Sequence, residues 1–336
     1  MFDIITFGSA SQDIFISSKK FLPRKGKIFT AGKGIFLDAG AKIEAENMFF
    51  TSGGGGTNTA ATFVKQGFKV SYCGMVGNDC FGNLIMQELK KWKIDTSFLK
   101  KTDKKPTNTS VFLTYPGKDR TILVYRGASD LLAKKDIPWQ KIKNTKWFYL
   151  APFAGKMANL TEGLVNFAKK NKIKIAFNPG YNQLTLPRKV LERILAKVDI
   201  LILNREEASR LTKIPYQKEK EIFRKLDKLV EGICIMTKGK EGAVVSDGRY
   251  LFRAPSLGFR GVDATGAGDS FGAGFVAGMI KKNDIVYAIQ LAMANSSFNI
   301  RKFGAKEGIL SKGQKWPKVK VFKESCHKNN LCQIKI

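Results

Sequence analysis

Short continuous apolar runs alternate along this chain with stretches whose apolar positions recur every three or four residues. The runs are "DIITFG", "KVSYCGMVG", "WFYLAPF", "KIKIAFNPG", "DILILN" and "GICIMTKG". Between them "GTNTAATFVKQG", "CFGNLIMQELKKW", "LTEGLVNFAKKN", "RKVLERILAKV" and the opening "EEASRLT" carry the helical period. A strand covered on both faces has no polar side, so it reads as an unbroken apolar run. The βαβα rhythm therefore predicts an α/β fold, a doubly wound, mostly parallel sheet with helices on both faces.

Two segments break the rhythm. Residues 19–52 and 107–127 alternate apolar and polar positions and contain glycine turns, the pattern of antiparallel hairpins. They predict a small β-sheet lid inserted at about 13–52 and 107–127 into one domain spanning 1–325, followed by a basic tail over 326–336. No internal repeat or low-complexity linker divides the chain.

Composition narrows the class. With 43% hydrophobic residues in 336, the chain can bury a large core and is not a disordered polymer. No apolar run approaches a membrane span, and "MFDIITFGSA" has no basic leader, so a cytoplasmic protein without a membrane partner is expected. The five cysteines, Cys73, Cys80, Cys234, Cys326 and Cys332, form no C-x-x-C pair, which fits a reducing compartment. "CHKNNLC" brings Cys326, His327 and Cys332 together in a polar tail, a weak zinc pattern set against a plain surface tail. The net charge of +30 would suit an anionic partner. It is carried mostly by lysine and spread along the chain, which reads as a solvated surface rather than a nucleic-acid site.

The candidate chemistry lies in "VDATGAGDSFGAGFVAG". A helix starting near Gly266 to Asp269 and apolar nearly all round must be buried. Gly272, Gly274 and Gly278 suit it only if backbone or ligand lies close. Free N–H groups of Gly266, Ala267 and Gly268 at its start make an anion site. Asp269 within that site repels an anion and is placed to take a proton from an attacking hydroxyl; the alternative is a helix-capping carboxylate. The spacing fits neither a Walker A loop nor a dinucleotide fingerprint. "SGGGGTNTAATFVKQG" offers backbone close to a polyhydroxy ligand with Asn58 bonding to it, or a flexible turn with an Asn cap. Asp79 reads as a helix cap.

Together, "GGGGTNTAATFVKQGFKVSYCGMVGNDCFG" and "DATGAGDSFGAGFVAG" resemble the two signature regions of the ribokinase/PfkB family of carbohydrate kinases. "FGSASQDIF", "ILNREEASRLT", "MTKGKEGAVV" and "FGAKEGIL" follow the family order, so the resemblance covers nearly the whole chain. It implies a ribokinase-like fold and an ATP-dependent phosphotransferase acting on a hydroxyl of a small sugar. Asp269 would be the general base, with the amides of Gly266, Ala267 and Gly268 as the anion hole. The same resemblance places Asp13, Gly54 and Asn58 on the sugar hydroxyls. Asn204 and Glu207 would hold Mg²⁺ through water, while Thr237, Gly239 and Gly242 border the nucleotide. Asp263 and Thr265 match positions for a monovalent cation, K⁺. A lid that closes over the acceptor, and a homodimer formed through that lid, are implied as well.

The acceptor stays open between a sugar and a nucleoside. Arg120 and Arg126 on the second lid hairpin could meet an acidic or phosphorylated sugar, or blunt a strand edge. Phe29, Phe36, Phe49 and Phe50 could stack on a base or fill the lid core. Asn295 lies near a nucleotide-contacting position in uncertain register and is not assigned. A non-catalytic nucleic-acid binder is the remote alternative, and an intact carboxylate in an anion site argues against it.

Overall fold

The computed structural model describes residues 1–26, 33–114 and 120–326. The strands are β1 (Ile4–Phe7), β2 (Ser11–Ser17), β3 (Pro23–Lys25), β4 (Lys33–Ile35), β5 (Asn47–Gly53), β6 (Val70–Gly77), β7 (Leu99–Thr102), β8 (Asn108–Thr114), β9 (Arg120–Tyr125), β10 (Trp147–Leu150), β11 (Lys174–Phe177), β12 (Ile200–Asn204), β13 (Ile233–Thr237), β14 (Ala243–Ser246), β15 (Tyr250–Ala254) and β16 (Phe322–Ser325). The helices are α1 (Gly55–Lys65), α2 (Cys80–Lys91), α3 (Trp139–Ile142), α4 (Leu160–Lys170), α5 (Tyr181–Leu184), α6 (Arg188–Leu195), α7 (Arg205–Thr212), α8 (Glu219–Leu229), α9 (Ala267–Lys282) and α10 (Ile285–Asn299).

The main sheet runs β16-β15-β14-β13-β12-β11-β10-β1-β6-β7. It is parallel from β7 to β13 and antiparallel from β13 to β16. Successive strand residues alternate between two cores. Ile5, Phe148 and Leu201 join one with α3–α8, whereas Ile4, Tyr149 and Ile202 join the other with α1, α2, α9 and α10. The expected two-faced sheet is present.

Helix α9 is buried from Ser270 to Gly278, and its glycines let neighbours come close. A methyl on Gly278 would lie 2.5 Å from the Cα of Ala288, and one on Gly274 would lie 3.1 Å from the Cα of Ala292, both on α10. A methyl on Gly272 would lie 2.3 Å from the hydroxyl of Tyr149. The neighbour implied by these glycines is thus protein.

The lid differs in one respect from two separate hairpins. Its sheet runs β5-β2-β8-β9, and β2 pairs with β8 in parallel between the two antiparallel pairs. The arms of the first hairpin are β2 and β5, so Asp13 sits within the lid sheet. Register sorts the side chains. Phe15, Phe49, Phe112 and Ile122 share one face with the row Ser17, Asn47, Thr114 and Arg120. Phe15 and Phe112 stack at 4.2 Å and form the lid's own core. Phe50 instead points to the opposite face, 59% exposed, and Phe36 is exposed, so neither fills that core. Phe29 and residues 327–336 lie outside the described residues. Cys73 and Cys80 are free thiols, whereas Cys326, expected to be reduced, is disulfide-bonded.

Gly278→Ala should lose about 1–3 kcal/mol through overpacking against α10. Gly163→Ala on α4, with nothing within 4 Å of the new methyl, should be neutral or gain up to about 1 kcal/mol. Urea denaturation of the two variants checks the contrast.

Candidate active site

The sheet changes direction at β1. The chain leaves β1 towards β6 and later returns on its other side to β10. Such a switch point opens a crevice beyond the carboxyl ends of the strands. Helix α1 starts there, and Gly55 brings its first turn against the crevice wall. A methyl on Gly55 would lie 2.8 Å from Pro152 Cδ and 3.3 Å from Asp269 Oδ1.

Helix α9 brings the carboxylate from the other side. Gly266, its N-cap, has φ 71°, and a side chain there would collide with Ala305. The N–H of Ala267 turns back to the carbonyl of Ala264 at 3.2 Å. Of the three expected amides, those of Gly266 and Gly268 have no protein partner among the described residues. Asp269 is in the first helical turn, and its Oδ2 accepts a 2.8 Å hydrogen bond from Asn58 Nδ2. Burial pushes its pKa up, while the Asn58 bond and the charge of Lys306 pull it down. Oδ1 carries no protein hydrogen bond among the described residues. Asn58 Oδ1 is buried without a partner, an acceptor waiting for a donor in the crevice.

Asp13 closes the crevice from the lid sheet. It is 4% exposed and accepts from Ser11 Oγ at 2.9 Å. Burial again raises its pKa, and Ser11 and Lys306 oppose the rise. Gly53 makes room for it, since a methyl there would lie 2.0 Å from Asp13 Oδ2. Gly54 has φ 96°, and its carbonyl accepts the N–H of Asn58 at 2.9 Å. Lys306 lies beneath, fully enclosed. It donates to the Ser52 carbonyl at 2.8 Å and to the Ser52 hydroxyl, with Glu88 at 3.4 Å. Enclosure lowers its pKa, and Glu88 and Asp13 restore part of the loss.

Asn204 and Glu207 form a reciprocal cap on α7. The Glu207 N–H donates to Asn204 Oδ1 at 2.8 Å, and the Asn204 N–H donates to Glu207 Oε2 at 2.9 Å. The capping role holds, yet Glu207 is more than a cap. Burial, assisted by the charge of Asp269, pushes its carboxyl up to about 7. Among the described residues its remaining oxygen has no hydrogen bond, a donor set that fits a water-coordinated Mg²⁺. Beyond α9 opens a cavity of 1360 Å³. Thr237, Gly239 and Gly242 border it together with Ala267 and Gly268, so the expected nucleotide loop and anion site share one cleft.

Asp263 and Thr265 also come together, but their side chains do not fit a monovalent cation. Asp263 Oδ1 accepts from Thr265 N (3.0 Å), Thr265 Oγ1 (2.7 Å) and Arg120 Nη1 (2.5 Å), and Oδ2 accepts from Gly304 N (3.0 Å). A guanidinium and three further donors already neutralise and saturate that carboxylate. Arg126 lies past the end of β9, exposed. Asn295 is an internal brace, donating to the Ser270 carbonyl at 2.7 Å and accepting from Leu310 N at 2.8 Å.

Residues 27–312 match the model of the pfkB family carbohydrate kinases. The chain belongs to that family. The ribokinase of Lactococcus lactis subsp. lactis is 28% identical over 313 residues, covering 92% of this chain and 94% of the relative. A solved structure of Arabidopsis thaliana ribokinase, complexed with ribose and ATP, superposes with a TM-score of 0.75 at 21% identity over 92% of this chain and 96% of that one. The Methanocaldococcus jannaschii nucleoside kinase superposes with a TM-score of 0.72 at 21% identity, covering 92% and 95%. This PfkB chain is thus a kinase of the carbohydrate kinase family on a ribokinase-like fold.

Several cleft residues of this PfkB member escape sequence reasoning. Met293, Ser296 and Ser297 of α10 line the cleft beside Phe259, Arg260 and Lys240. Met293 and Ser297 are four residues apart on one helix face, a periodic signal masked because most of α10 is apolar. Phe49 reaches the cleft and stacks on Phe303 at 5.6 Å.

Glu207 has a measurable signature. Its folded pKa of about 7 lies above the ordinary 4.5, so the native state holds the proton more tightly and stability falls as pH rises between these values. Glu207→Gln keeps an oxygen for the Asn204 N–H and removes the charge. Its melting temperature should fall less than that of the wild type between pH 5 and 8 and exceed it at pH 8. Parallel curves would refute the raised pKa.

Proposed function

We propose that this kinase transfers the γ-phosphoryl group of ATP to a hydroxyl of a small sugar. The observation that carries the reading is the pair Asp269 and Asn58. A half-buried carboxylate, one of whose oxygens has no hydrogen bond among the described residues, stands beside a buried amide oxygen lacking a donor, both at the head of an open anion site. Asp269 takes the proton of the acceptor hydroxyl as its oxygen bonds to the γ-phosphorus. The bond to the β,γ-bridging oxygen breaks and ADP leaves with that electron pair. The amides of Gly266 and Gly268 face the charge on the transferring group, with Ala267 holding their turn. Asn58 and Asp13 bind acceptor hydroxyls, and Gly54 lets backbone approach them. Thr237, Gly239 and Gly242 border the nucleotide. Mg²⁺, held through water by Glu207 with Asn204, would neutralise phosphate charge. No step is assigned to K⁺.

A nucleoside acceptor is the second reading, favoured by the aromatic face of Phe49 at the cleft. ADP release with MgATP across ribose, fructose, phosphorylated fructose, ketodeoxygluconate, adenosine and cytidine separates the two. Asp269→Asn should cut kcat on the active acceptor by about 10²–10⁴-fold. Retained turnover in that variant would remove Asp269 from the role of base.

We also infer a homodimer through the lid. The lid face turned away from the cleft carries Ile14, Met48, Phe50, Val111, Leu113 and Leu123 in register, and Met48, Phe50 and Leu123 are 49%, 59% and 56% exposed. A second copy laid on this face would cover a patch that a monomer leaves in water. Sedimentation should give a dimer for the wild type and a monomer for Leu123→Glu. A wild-type monomer at micromolar concentration would overturn it.

A further inference from the structure

We propose that Arg120 of lid strand β9 is a catalytic residue of this kinase, its guanidinium bonding an oxygen of the phosphoryl group during transfer. The proposal rests on the kinase reading above and adds a solvent-facing cation at the mouth of the anion site. Where that site opens, its contacts are backbone amides. Of the three cationic side chains that line the cleft among the described residues, Lys240 lies in the nucleotide loop and Arg260 precedes the motif. Arg120 is the one that reaches Thr265, next to Gly266, donating from Nη1 to Thr265 Oγ1 at 2.9 Å.

Its placement follows from lid register. Arg120 pairs with Thr114, and Thr114 pairs with Ser17, so its side chain shares the cleft face with Phe15 and Phe49. Asp13, on the acceptor hydroxyls, is two rows nearer the base of the sheet on the same face. Each two-residue step is about 6.8 Å, and β9 lies two strands away from β2. The Cα atoms of Arg120 and Asp13 are therefore on the order of 15 Å apart. Arg120 thus serves the phosphate end of the cleft and not the far end of a sugar.

The guanidinium is held and still available. Its Nη1 is taken by Asp263 and Thr265, and the ring of Phe112 packs 5.4 Å from its Cζ. Among the described residues Nε and Nη2 have no hydrogen-bond partner, and the side chain is 31% exposed into the cleft. A planar fork fixed at one nitrogen and open at two is the shape that binds phosphate oxygens bidentately. Asp263 keeps three other donors, so it works as an anchor that aims Arg120 and does not depend on it for satisfaction. The transfer itself balances as before: the acceptor oxygen bonds to phosphorus, the bridging oxygen leaves with ADP, and the proton goes to Asp269. Arg120 makes and breaks hydrogen bonds only.

The test uses the full chain, with Arg120→Ala and Arg120→Lys beside the wild type, each checked by thermal melting. Steady-state kinetics are measured on the acceptor the wild type uses. Calorimetry compares Mg²⁺-bound ADP with a non-hydrolysable ATP analogue. Arg120→Ala should lower kcat by about 10²–10³-fold, the loss that follows removal of one donor to a developing oxyanion. The acceptor KM should stay unchanged, millimolar guanidinium should restore part of the rate, and the preference for the triphosphate analogue over ADP should shrink. Arg120→Lys, which keeps the charge and loses the fork, should fall between. Undiminished kcat in Arg120→Ala overturns the proposal while leaving the kinase reading intact. A raised acceptor KM at normal kcat overturns it in favour of an acceptor contact. Absence of turnover in the wild type with every acceptor overturns the underlying reading and this proposal with it.

Discussion

The structure turns on setting one carboxylate, half withdrawn from water, beside groups that favour its charged form. Asp269 is half-buried at the first turn of a helix packed nearly all round, and desolvation there raises its pKa. Two contributions hold the rise in check: a hydrogen bond from Asn58, 211 residues away in sequence, and the enclosed ammonium of Lys306. Much of the surrounding architecture serves that meeting. The glycines at 53–56 let α1 enter the crevice, and those at 274 and 278 let α9 lie against α10. The switch of strand order at β1 creates the crevice that both helices enter.

Around that centre the molecule divides its work by face. In the main sheet, alternate residues feed two cores that carry separate sets of helices. In the lid, alternate residues either line the cleft or form an apolar outer surface. The cleft face carries Asp13 near its base and Arg120 near its tip. The outer face carries the residues assigned to subunit contact. One register serves both purposes, and a shift of one residue would exchange them.

The parallel strands β1, β6, β10, β11, β12 and β13 and the helices α1, α2, α4, α6 and α7 were legible because their periods are clean, whereas β7, a short lysine-rich strand, was not read. Helix α8 was not read because its charged residues hide a short apolar stripe. Helix α10 was read only at its end, since most of its positions are apolar. The parallel pairing of β2 with β8 joins segments some hundred residues apart, and alternation alone cannot report such a pairing. The anion site and Asp269 could be argued from residues, whereas Asp13, Asn204 and Glu207 depended on resemblance. Asp263 was expected to face a cation, and it does, but the cation is a side chain from 143 residues upstream. Phe49 and Phe50 look equivalent in sequence; only register shows that one faces the cleft and the other the solvent.

The most direct test of the account is a crystal structure of the kinase with its acceptor, Mg²⁺ and a non-hydrolysable ATP analogue. The account requires an acceptor hydroxyl within about 2.6–3.2 Å of Asp269 Oδ1 and in line with the γ-phosphorus. It also requires a second hydroxyl donating to Asn58 Oδ1. An acceptor bound with Asn58 Oδ1 still unpartnered, and its reacting hydroxyl nearer another base, would contradict it.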